Sequence, residues 1–202
     1  MAKTERKVTV ILATDVVGYS VKMEENEDQT LKNLKVCRNI IDGLVEEHHG
    51  RIFNTAGDSV LAEFQSAVEA VICASEFQST IKERNNSVPE EQQMEFRIGI
   101  NMGDVVIEGD NLYGEGVNVA ARLESLAQPG GVCLSKNVHE IVNKKTDFQF
   151  HDLGEQKVKN TVLMQLMLSL MVPPKENSHI LRKSARQPLG RNIVQSLFWL
   201  LS

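Results

Sequence analysis

Two aspartates occupy positions in the sequence where a carboxylate could hold a metal ion. Asp15 follows the apolar run Val8 to Leu12, which is typical of a buried strand, and Asp58 lies in an A-G-D-S turn between two short apolar segments. A bare carboxylate at the end of a buried strand is costly unless a cation lies beside it. Because Mg²⁺ prefers oxygen ligands, usually one or two carboxylates with substrate phosphates, the two acids predict a divalent-cation site if the fold brings them together.

The residues after Asp15 favour a phosphate as the second component of this site. The segment V-V-G-Y-S can turn its backbone N–H groups toward an anion, and Gly18 permits the close approach that such a turn needs. The alternative is that Asp15 and Asp58 are ordinary turn residues or caps. The sequence of each turn taken alone does not separate these two interpretations.

A third group of polar side chains lies on a predicted helix within LYGEGVNVAARLESL. Asn118 and Arg122 are four residues apart and therefore share one helical face. Such a pair can hold the oxygens of a ribose and a phosphate, and Arg is suited to charge that develops on a phosphoryl group. The alternative is a solvated face on which Arg122 pairs with Glu115 or Glu124.

Short apolar segments and turn residues predict the strands that must position these side chains. Strands are expected over residues 8–13, 51–55, 60–64, 96–101, 105–108, 132–134 and 148–153, with a last one beginning at 162. The strands 96–101 and 105–108 are predicted to pair around the turn Met102-Gly103-Asp104. The turn residues Gly57 and Asp58 predict a hairpin between the second and third strands.

Helical periodicity predicts the remaining elements. A helix from Asn26 to Gly50 has a predicted buried face of Leu31, Leu34, Ile41, Leu44 and His48. A capping box at Ser66 and Glu69 opens a second helix with a stripe of Val68, Val71, Ile72 and Ile81. A polar loop is expected over 85–93, and further helices over 116–127 and 136–143.

The order of these elements favours an α+β fold: a sandwich on a ferredoxin-like (βαββαβ) core, with helices on one face of a mainly antiparallel sheet. In this topology the third strand lies antiparallel to the first, which brings Asp15 and Asp58 to one edge of the sheet. Residues 1–172 are predicted to form the domain. Residues 173–202 change in composition and are expected to be a poorly ordered linker or tail, which would connect to something larger if the chain is a fragment.

Bulk composition excludes several classes of protein. The chain has 202 residues and a formal net charge of −5, which disfavours binding to nucleic acid. Three scattered cysteines without a C-x-x-C spacing indicate reduced thiols rather than a zinc site. No apolar run approaches the roughly 20 residues of a membrane span, and the N-terminus lacks a signal-peptide pattern. A cytoplasmic protein without a complete membrane span is therefore expected.

Four motifs in this order resemble the catalytic domain of class III nucleotidyl cyclases, the adenylate and guanylate cyclases, and their bacterial members in particular. They are TDVVGYS, NTAGDSVLAEF, FRIGINMGDVV and LYGEGVNVAARLESL. The resemblance covers roughly residues 6 to 170. It implies a lyase of cyclic-nucleotide signalling that converts ATP to 3′,5′-cyclic AMP and pyrophosphate through attack of the ribose 3′-hydroxyl on the α-phosphorus.

The resemblance also implies a homodimer with active sites at the subunit interface and two Mg²⁺ or Mn²⁺ ions per site. One subunit is expected to supply the metal ligands and the other the catalytic Asn and Arg. The matching positions are Asp15, Asp58 and the carbonyl of Val16 for metal; Val17, Gly18, Tyr19, Ser20 and Lys159 for the triphosphate; Asn118 for the ribose; and Arg122 for the transition state.

Two positions depart from the family pattern. Adenylate cyclases that this chain resembles usually select adenine with a Lys and an Asp where this chain has Asn54 and Asn111, and guanylate cyclases have a Glu at the first. Since asparagine both donates and accepts, it can read either base. ATP is favoured because adenylate cyclases prevail in the family. A guanylate cyclase, a catalytically silent nucleotide-binding regulator and a pure interaction domain remain alternatives, whereas the missing G-G-[DE]-E-F signature argues against a diguanylate cyclase.

Overall fold

One eight-stranded sheet runs through the computed structural model, which describes residues 5–158 and 161–168. Its strands are β1 (Glu5–Val16), β2 (Arg51–Ala56), β3 (Ser59–Phe64), β4 (Phe96–Glu108), β5 (Asn111–Tyr113), β6 (Val132–Ser135), β7 (Phe150–Val158) and β8 (Thr161–Leu168). The helices are α1 (Tyr19–Glu25), α2 (Glu27–Glu47), α3 (Ala67–Asn86), α4 (Glu115–Leu126) and α5 (Lys136–Val142). None of these helices has the length and apolar character needed to cross a bilayer. Lys159 and the predicted tail 173–202 lie outside the described residues.

The order of the strands confirms the predicted α+β class with a mainly antiparallel sheet. The sheet reads β2-β3-β1-β4-β6-β8-β7, and β5 pairs with β4. β1 lies antiparallel to both β3 and β4, as the ferredoxin-like order requires, while β4 and β6 are parallel. The end of β1 therefore lies beside the start of β3.

Helices cover both faces of the sheet, so the expectation that they lie on one face is wrong. Val10, Leu12 and Val16 of β1 pack in one cluster with residues of α2, α3 and α5. Ile11 and Ala13 point to the other face, where they pack with residues of α4. A strand buried on both faces has a continuous apolar run, which is the pattern of residues 10–13; Val8, predicted to belong to the buried run, is 68% exposed.

The predicted strand pair around Met102-Gly103-Asp104 is one continuous strand, β4. All twelve residues of β1 pair with it, so there is no turn at Gly103. The hairpin comes later, where Gly109 adopts a φ of 60° and β5 returns along β4. A Cβ at Gly103 would lie 3.1 Å from the Cα of Gly116, which shows that this glycine serves close packing against α4.

Two details of the predicted helices also differ. Leu31, placed on the buried face of α2, is 44% exposed, while Cys37 and Val45 are buried there instead. The predicted polar loop 85–93 is partly helical, because α3 continues to Asn86 and a 3₁₀ turn follows at Glu90–Gln92. The Ser66 half of the predicted capping box is confirmed, because its side chain accepts a hydrogen bond from the backbone N–H of Glu69, whereas the Glu69 carboxylate lies 2.9 Å from His48 Nδ1.

α4 lies directly on β4 because glycines remove side chains from the contact. A Cβ built on Gly99 would lie 2.2 Å from the carbonyl oxygen of Ala120 and 2.2 Å from the backbone nitrogen of Glu124. The side chain of Asn101 in β4 donates to the carbonyl of Gly116, in the first turn of α4. This close contact fixes the position of the helix that carries Asn118 and Arg122.

Candidate active site

Asp15 and Asp58 meet at one backbone amide. The N–H of Val16 donates to Asp15 Oδ1 at 3.0 Å and to Asp58 Oδ2 at 3.1 Å. The hydroxyl of Ser59 lies 3.5 Å from Asp15 Oδ1. The meeting follows from the antiparallel pairing of β1 with β3, in which Thr14 faces Val60 and the next residue reaches the turn that carries Asp58.

The electrostatics of this pair favour a cation. Burial, together with the hydrogen bond and charge of Asp15, raises the pKa of Asp58 to about 6. Two carboxylates that share one amide and repel each other match the oxygen donors that Mg²⁺ and Mn²⁺ prefer, so these residues fit such an ion. Within the described part of the chain no cluster of three or more His, Cys, Asp or Glu side chains could hold a metal ion. Further ligands would have to be backbone carbonyls, water or substrate phosphates.

Arg97 belongs to this site, although its motif in the sequence did not predict this. It lies directly opposite Asp15 in the β1–β4 register, with its Nη2 3.2 Å from Asp15 Oδ2. The same nitrogen lies 3.4 Å from Glu124 Oε1 on α4. The sequence shows a charged residue in a predicted strand, but it does not show the register that places this residue against Asp15.

Glu124 is nearly buried, although its place in the sequence suggests only an exposed partner for Arg122. Burial, followed by the nearby charge of Asp15, raises its pKa to about 7 even though Arg97 opposes the shift. A carboxylate in such surroundings carries its charge at a cost. At the end of β1, the Arg97 guanidinium therefore lies between Asp15 and Glu124, and Asp58 lies beside Asp15 at the amide of Val16.

The predicted phosphate loop continues into a helix. Gly18 adopts a φ of 67° and precedes α1, so Tyr19 and Ser20 form the first turn of that helix. The backbone N–H of Val17 donates to the carbonyl of Glu95 at 2.9 Å and is already used. The amides of Gly18, Tyr19 and Ser20 are among the four that the start of this helix leaves without intrahelical acceptors, since the first intrahelical bond is donated by Lys22.

Asn118 and Arg122 project from α4 on the side away from its buried face. Val119, Ala120 and Leu123 are buried under the helix, while Asn118 is exposed. Arg122 pairs with Glu115, with 2.9 Å between Nη1 and Oε1, as one of the sequence alternatives anticipates.

The two positions that depart from the family pattern contact each other. Asn54 Nδ2 donates to Asn111 Oδ1 at 3.1 Å, which links β2 to β5 across the edge of the sheet. The register between β2 and β3 shifts between Ile52 and Asn54, a bulge next to the residue concerned. The sequence suggests a shared role for the two asparagines but not their hydrogen bond.

Comparison with known proteins identifies close relatives of this architecture. The family model described as the adenylate and guanylate cyclase catalytic domain matches residues 1–171. A protein of Rhizobium meliloti (strain 1021) named "Putative adenylate cyclase 3" is 46% identical over 156 residues, which is 77% of this chain. The chain spans only 27% of the length of that relative.

Solved structures give the same result at the level of the fold. An adenylate/guanylate cyclase/hydrolase from Silicibacter pomeroyi is 41% identical, with a TM-score of 0.77 over 85% of this chain and 99% of that one. The adenylyl cyclase CyaB from P. aeruginosa is 22% identical, with a TM-score of 0.74 over 87% of this chain and 99% of that one. The second likeness concerns the fold alone.

Proposed function

This chain belongs to the family of adenylate and guanylate cyclase catalytic domains, and from this we propose that it converts ATP to 3′,5′-cyclic AMP and pyrophosphate. The observation that best supports the proposal is the meeting of Asp15 and Asp58 at the amide of Val16. Two carboxylates at such a place are expected where a divalent cation and a triphosphate bind.

The residues at the end of β1 would hold the metal. Asp15, Asp58 and the carbonyl of Val16 are the proposed ligands of two Mg²⁺ or Mn²⁺ ions. When bound, such ions lower the pKa of the attacking 3′-hydroxyl and neutralise charge on the phosphates. No side-chain base is assigned, and the chain contributes mainly position and charge.

The start of α1 would bind the phosphates of the same nucleotide. Gly18, Tyr19 and Ser20 offer backbone N–H groups, and Lys159 is proposed as a further contact to the triphosphate. Val17 would belong to the loop without donating to a phosphate, because its N–H already donates to the carbonyl of Glu95. These contacts would orient pyrophosphate as the leaving group in line with the attacking hydroxyl.

The exposed side of α4 would complete the site of a second chain. Asn118, Ala121 and Ser125 are exposed on α4, and Arg122 lies among them with 22% of its side chain exposed. We assign Asn118 to the ribose and Arg122 to the charge that develops on the α-phosphate. In a homodimer each chain would contribute acids to one site and α4 to the other.

A product assay tests the proposal. Purified protein is incubated with Mn²⁺ and either ATP or GTP, and the cyclic nucleotide is identified by chromatography against standards. We expect cyclic AMP from ATP. In Asp15→Ala we expect the rate of cyclic AMP formation to fall by at least about 100-fold while the circular dichroism spectrum is unchanged. Binding of both nucleotides without any cyclic product would instead support a silent regulatory module.

A second candidate function, cyclisation of GTP, is favoured by the contact between Asn54 and Asn111. This hydrogen bond uses an N–H of Asn54 and the side-chain carbonyl of Asn111. The side-chain carbonyl of Asn54 and the side-chain N–H groups of Asn111 take no part in it and could contact a base. If both amides turn over together, the mutual hydrogen bond is retained and the outward donor and acceptor exchange places. Adenine and guanine present opposite patterns at positions 1 and 6, so the pair can serve both bases.

The double variant Asn54→Lys/Asn111→Asp tests this candidate, since it fixes one donor and one acceptor. This candidate requires the wild type to use ATP and GTP with kcat/KM values within about tenfold of each other, and the variant to shift the ratio toward ATP by roughly tenfold or more. A wild-type preference for one base above about 100-fold would contradict the second candidate.

A further inference from the structure

Glu124 is a nearly buried carboxylate for which the proposed reaction has no direct use. It lies on α4 with 9% of the residue exposed, on the turn that rests directly against Gly99 of β4. Its Oε1 forms no hydrogen bond within the described residues, and neither does the buried Nε of Arg97. Burial of a charge in this way is costly and calls for a specific counter-charge.

That counter-charge is shared with the metal site. Nη2 of Arg97 lies 3.2 Å from Asp15 Oδ2 and 3.4 Å from Glu124 Oε1. One nitrogen of a single guanidinium therefore lies between a proposed metal ligand and a carboxylate on α4. Without the carboxylate of Glu124, the whole charge of Arg97 would act on Asp15 and oppose a divalent cation.

We propose that Glu124 is a positioning residue for the divalent cation: by drawing the Arg97 guanidinium partly toward α4, it keeps the charge of Asp15 available to the ion. This inference rests on the proposed function, because it takes Asp15 and Asp58 as the metal ligands. It assigns opposite effects to the two partners, since Glu124 strengthens the affinity for the ion and Arg97 weakens it. A merely structural ion pair would give losses of the same sign when either partner is removed.

The test measures Mn²⁺ binding to the nucleotide-free full chain by electron paramagnetic resonance at pH 8. We expect Glu124→Gln to weaken the Kd for Mn²⁺ by about threefold to tenfold, and Arg97→Met to tighten it by a similar factor, the range for one charge acting through a high effective dielectric. Asp15→Asn is measured beside them and should weaken binding most.

Matched controls remove the same charges elsewhere. Glu140→Gln changes an exposed acid of α5, and Arg6→Met changes an exposed arginine of β1. Both should leave the Kd within about twofold of the wild type, because exposed charges are screened by solvent and salt. Thermal unfolding verifies that each variant is folded. If the Glu124→Gln variant does not fold, Glu124→Met has the same expected sign, and Arg97→Gln replaces Arg97→Met in the same way.

The outcomes separate this inference from the proposed function. If Asp15→Asn leaves Mn²⁺ binding unchanged, the proposed metal site itself is wrong and the inference falls with it. If Asp15→Asn weakens binding but the Glu124 and Arg97 variants shift the Kd in one direction, or not at all, only the role of Glu124 is overturned.

Discussion

Asp58 carries its charge in a place that disfavours it. Burial and the neighbouring Asp15 raise the pKa of its carboxyl from 3.8 to about 6, so in the folded chain without metal the carboxyl is protonated below about pH 6 and charged above it. An acid whose pKa is raised by folding makes the folded state less stable above that pKa, and this cost disappears as the pH falls below the unfolded value. The acid pair therefore reduces stability wherever no cation is bound.

Asp58→Asn should consequently stabilise the metal-free chain at pH 8. The amide retains an acceptor for the N–H of Val16 and can donate to Asp15, so the repulsion becomes a hydrogen bond. We expect Tm to rise by about 2–4 °C at pH 8 in the presence of a chelator, the shift of roughly 1 kcal/mol in a chain of this size. Scanning calorimetry measures it.

The pH dependence is the control for this prediction. The difference in Tm between Asp58→Asn and the wild type should shrink as the pH falls from 6 toward 4, because the wild-type carboxyl becomes protonated. Added Mn²⁺ should reverse the order by stabilising the wild type more. A difference that is constant with pH would contradict the assigned cause.

At this scale the sequence predicts the pair of acids but not their neighbours. The proximity of Asp15 and Asp58 could be predicted from topology alone, since the strand order places the end of β1 beside the start of β3. Arg97 and Glu124 require the register of β1 against β4 and the packing of α4, which depend on three-dimensional contacts. The hydrogen bond between the asparagines lies next to a bulge in β2, which composition does not indicate.

Among the elements, α4 depends most on a single position beneath it. Gly99→Ala would place a Cβ 2.2 Å from backbone atoms of Ala120 and Glu124, and backbone atoms cannot move aside as a flexible side chain can. We expect a loss of about 2 kcal/mol or more in the free energy of unfolding. Cyclase activity should fall further than stability at 20 °C, because α4 carries Asn118 and Arg122. Urea denaturation and the product assay measure the two effects.

Gly43→Ala provides the matched control. Gly43 lies within α2, and a Cβ there meets nothing within 4 Å. Since alanine is the better helix former, this variant should gain up to about 1 kcal/mol and retain its activity. If both glycine variants change stability equally, close packing is not the reason for Gly99.

Glycines also explain where element prediction fails. Gly57 in A-G-D-S does mark a turn, with a φ of 60°, and the hairpin of β2 and β3 is confirmed. Gly103 looks the same in the sequence yet lies within β4, where it makes room for α4. A glycine that turns the chain and one that admits a neighbouring helix have no different local signature, so the prediction of two strands over 96–108 is wrong.

His48 joins the end of α2 to α3. Its Nδ1 lies 2.9 Å from Glu69 and its Nε2 2.9 Å from Glu76, and the residue is 5% exposed. Burial would lower the pKa of this imidazole, but its hydrogen bonds to Glu76 and Glu69 outweigh burial and raise the pKa to about 9. The charged ring thus stabilises the contact of the two helices.

This arrangement predicts a pH-dependent contribution to stability. A pKa raised from 6.5 to about 9 gives stabilisation that is complete below pH 6.5 and is lost as the pH rises through 9. His48→Gln should cost about 2 kcal/mol at pH 6, allowing for the partial exposure of both glutamates, and much less at pH 9.5. Urea titrations at both pH values test this, with exposed His151→Gln as a control that should show no such trend.

At the scale of the whole molecule, one chain presents two incomplete halves of the proposed chemistry. The acids at the end of β1 are tied through Arg97 to Glu124 of α4, while Asn118 of the same helix is exposed. Family membership and the proposed roles lead us to expect that two chains share each site. A shared site makes a strong prediction, because defects in different halves can then compensate for each other.

Mixing two inactive chains tests this. Asp58→Ala should remove the metal half of each site and Arg122→Ala the transition-state half, so each homodimer should be nearly inactive. In a heterodimer, one site combines both defects and the other has the intact acids of one chain and the intact α4 of the other. If dimers re-form at random, half are heterodimers with one of two sites intact, so activity should recover to roughly one quarter of the wild type.

Asp15→Ala mixed with Asp58→Ala is the control, since both lie in the same half and no intact site can form. No recovery in the test mixture, after subunit exchange is verified by differential labelling, would show that each chain builds its site alone. Recovery in the control would show that Asp15 and Asp58 of one site come from different chains.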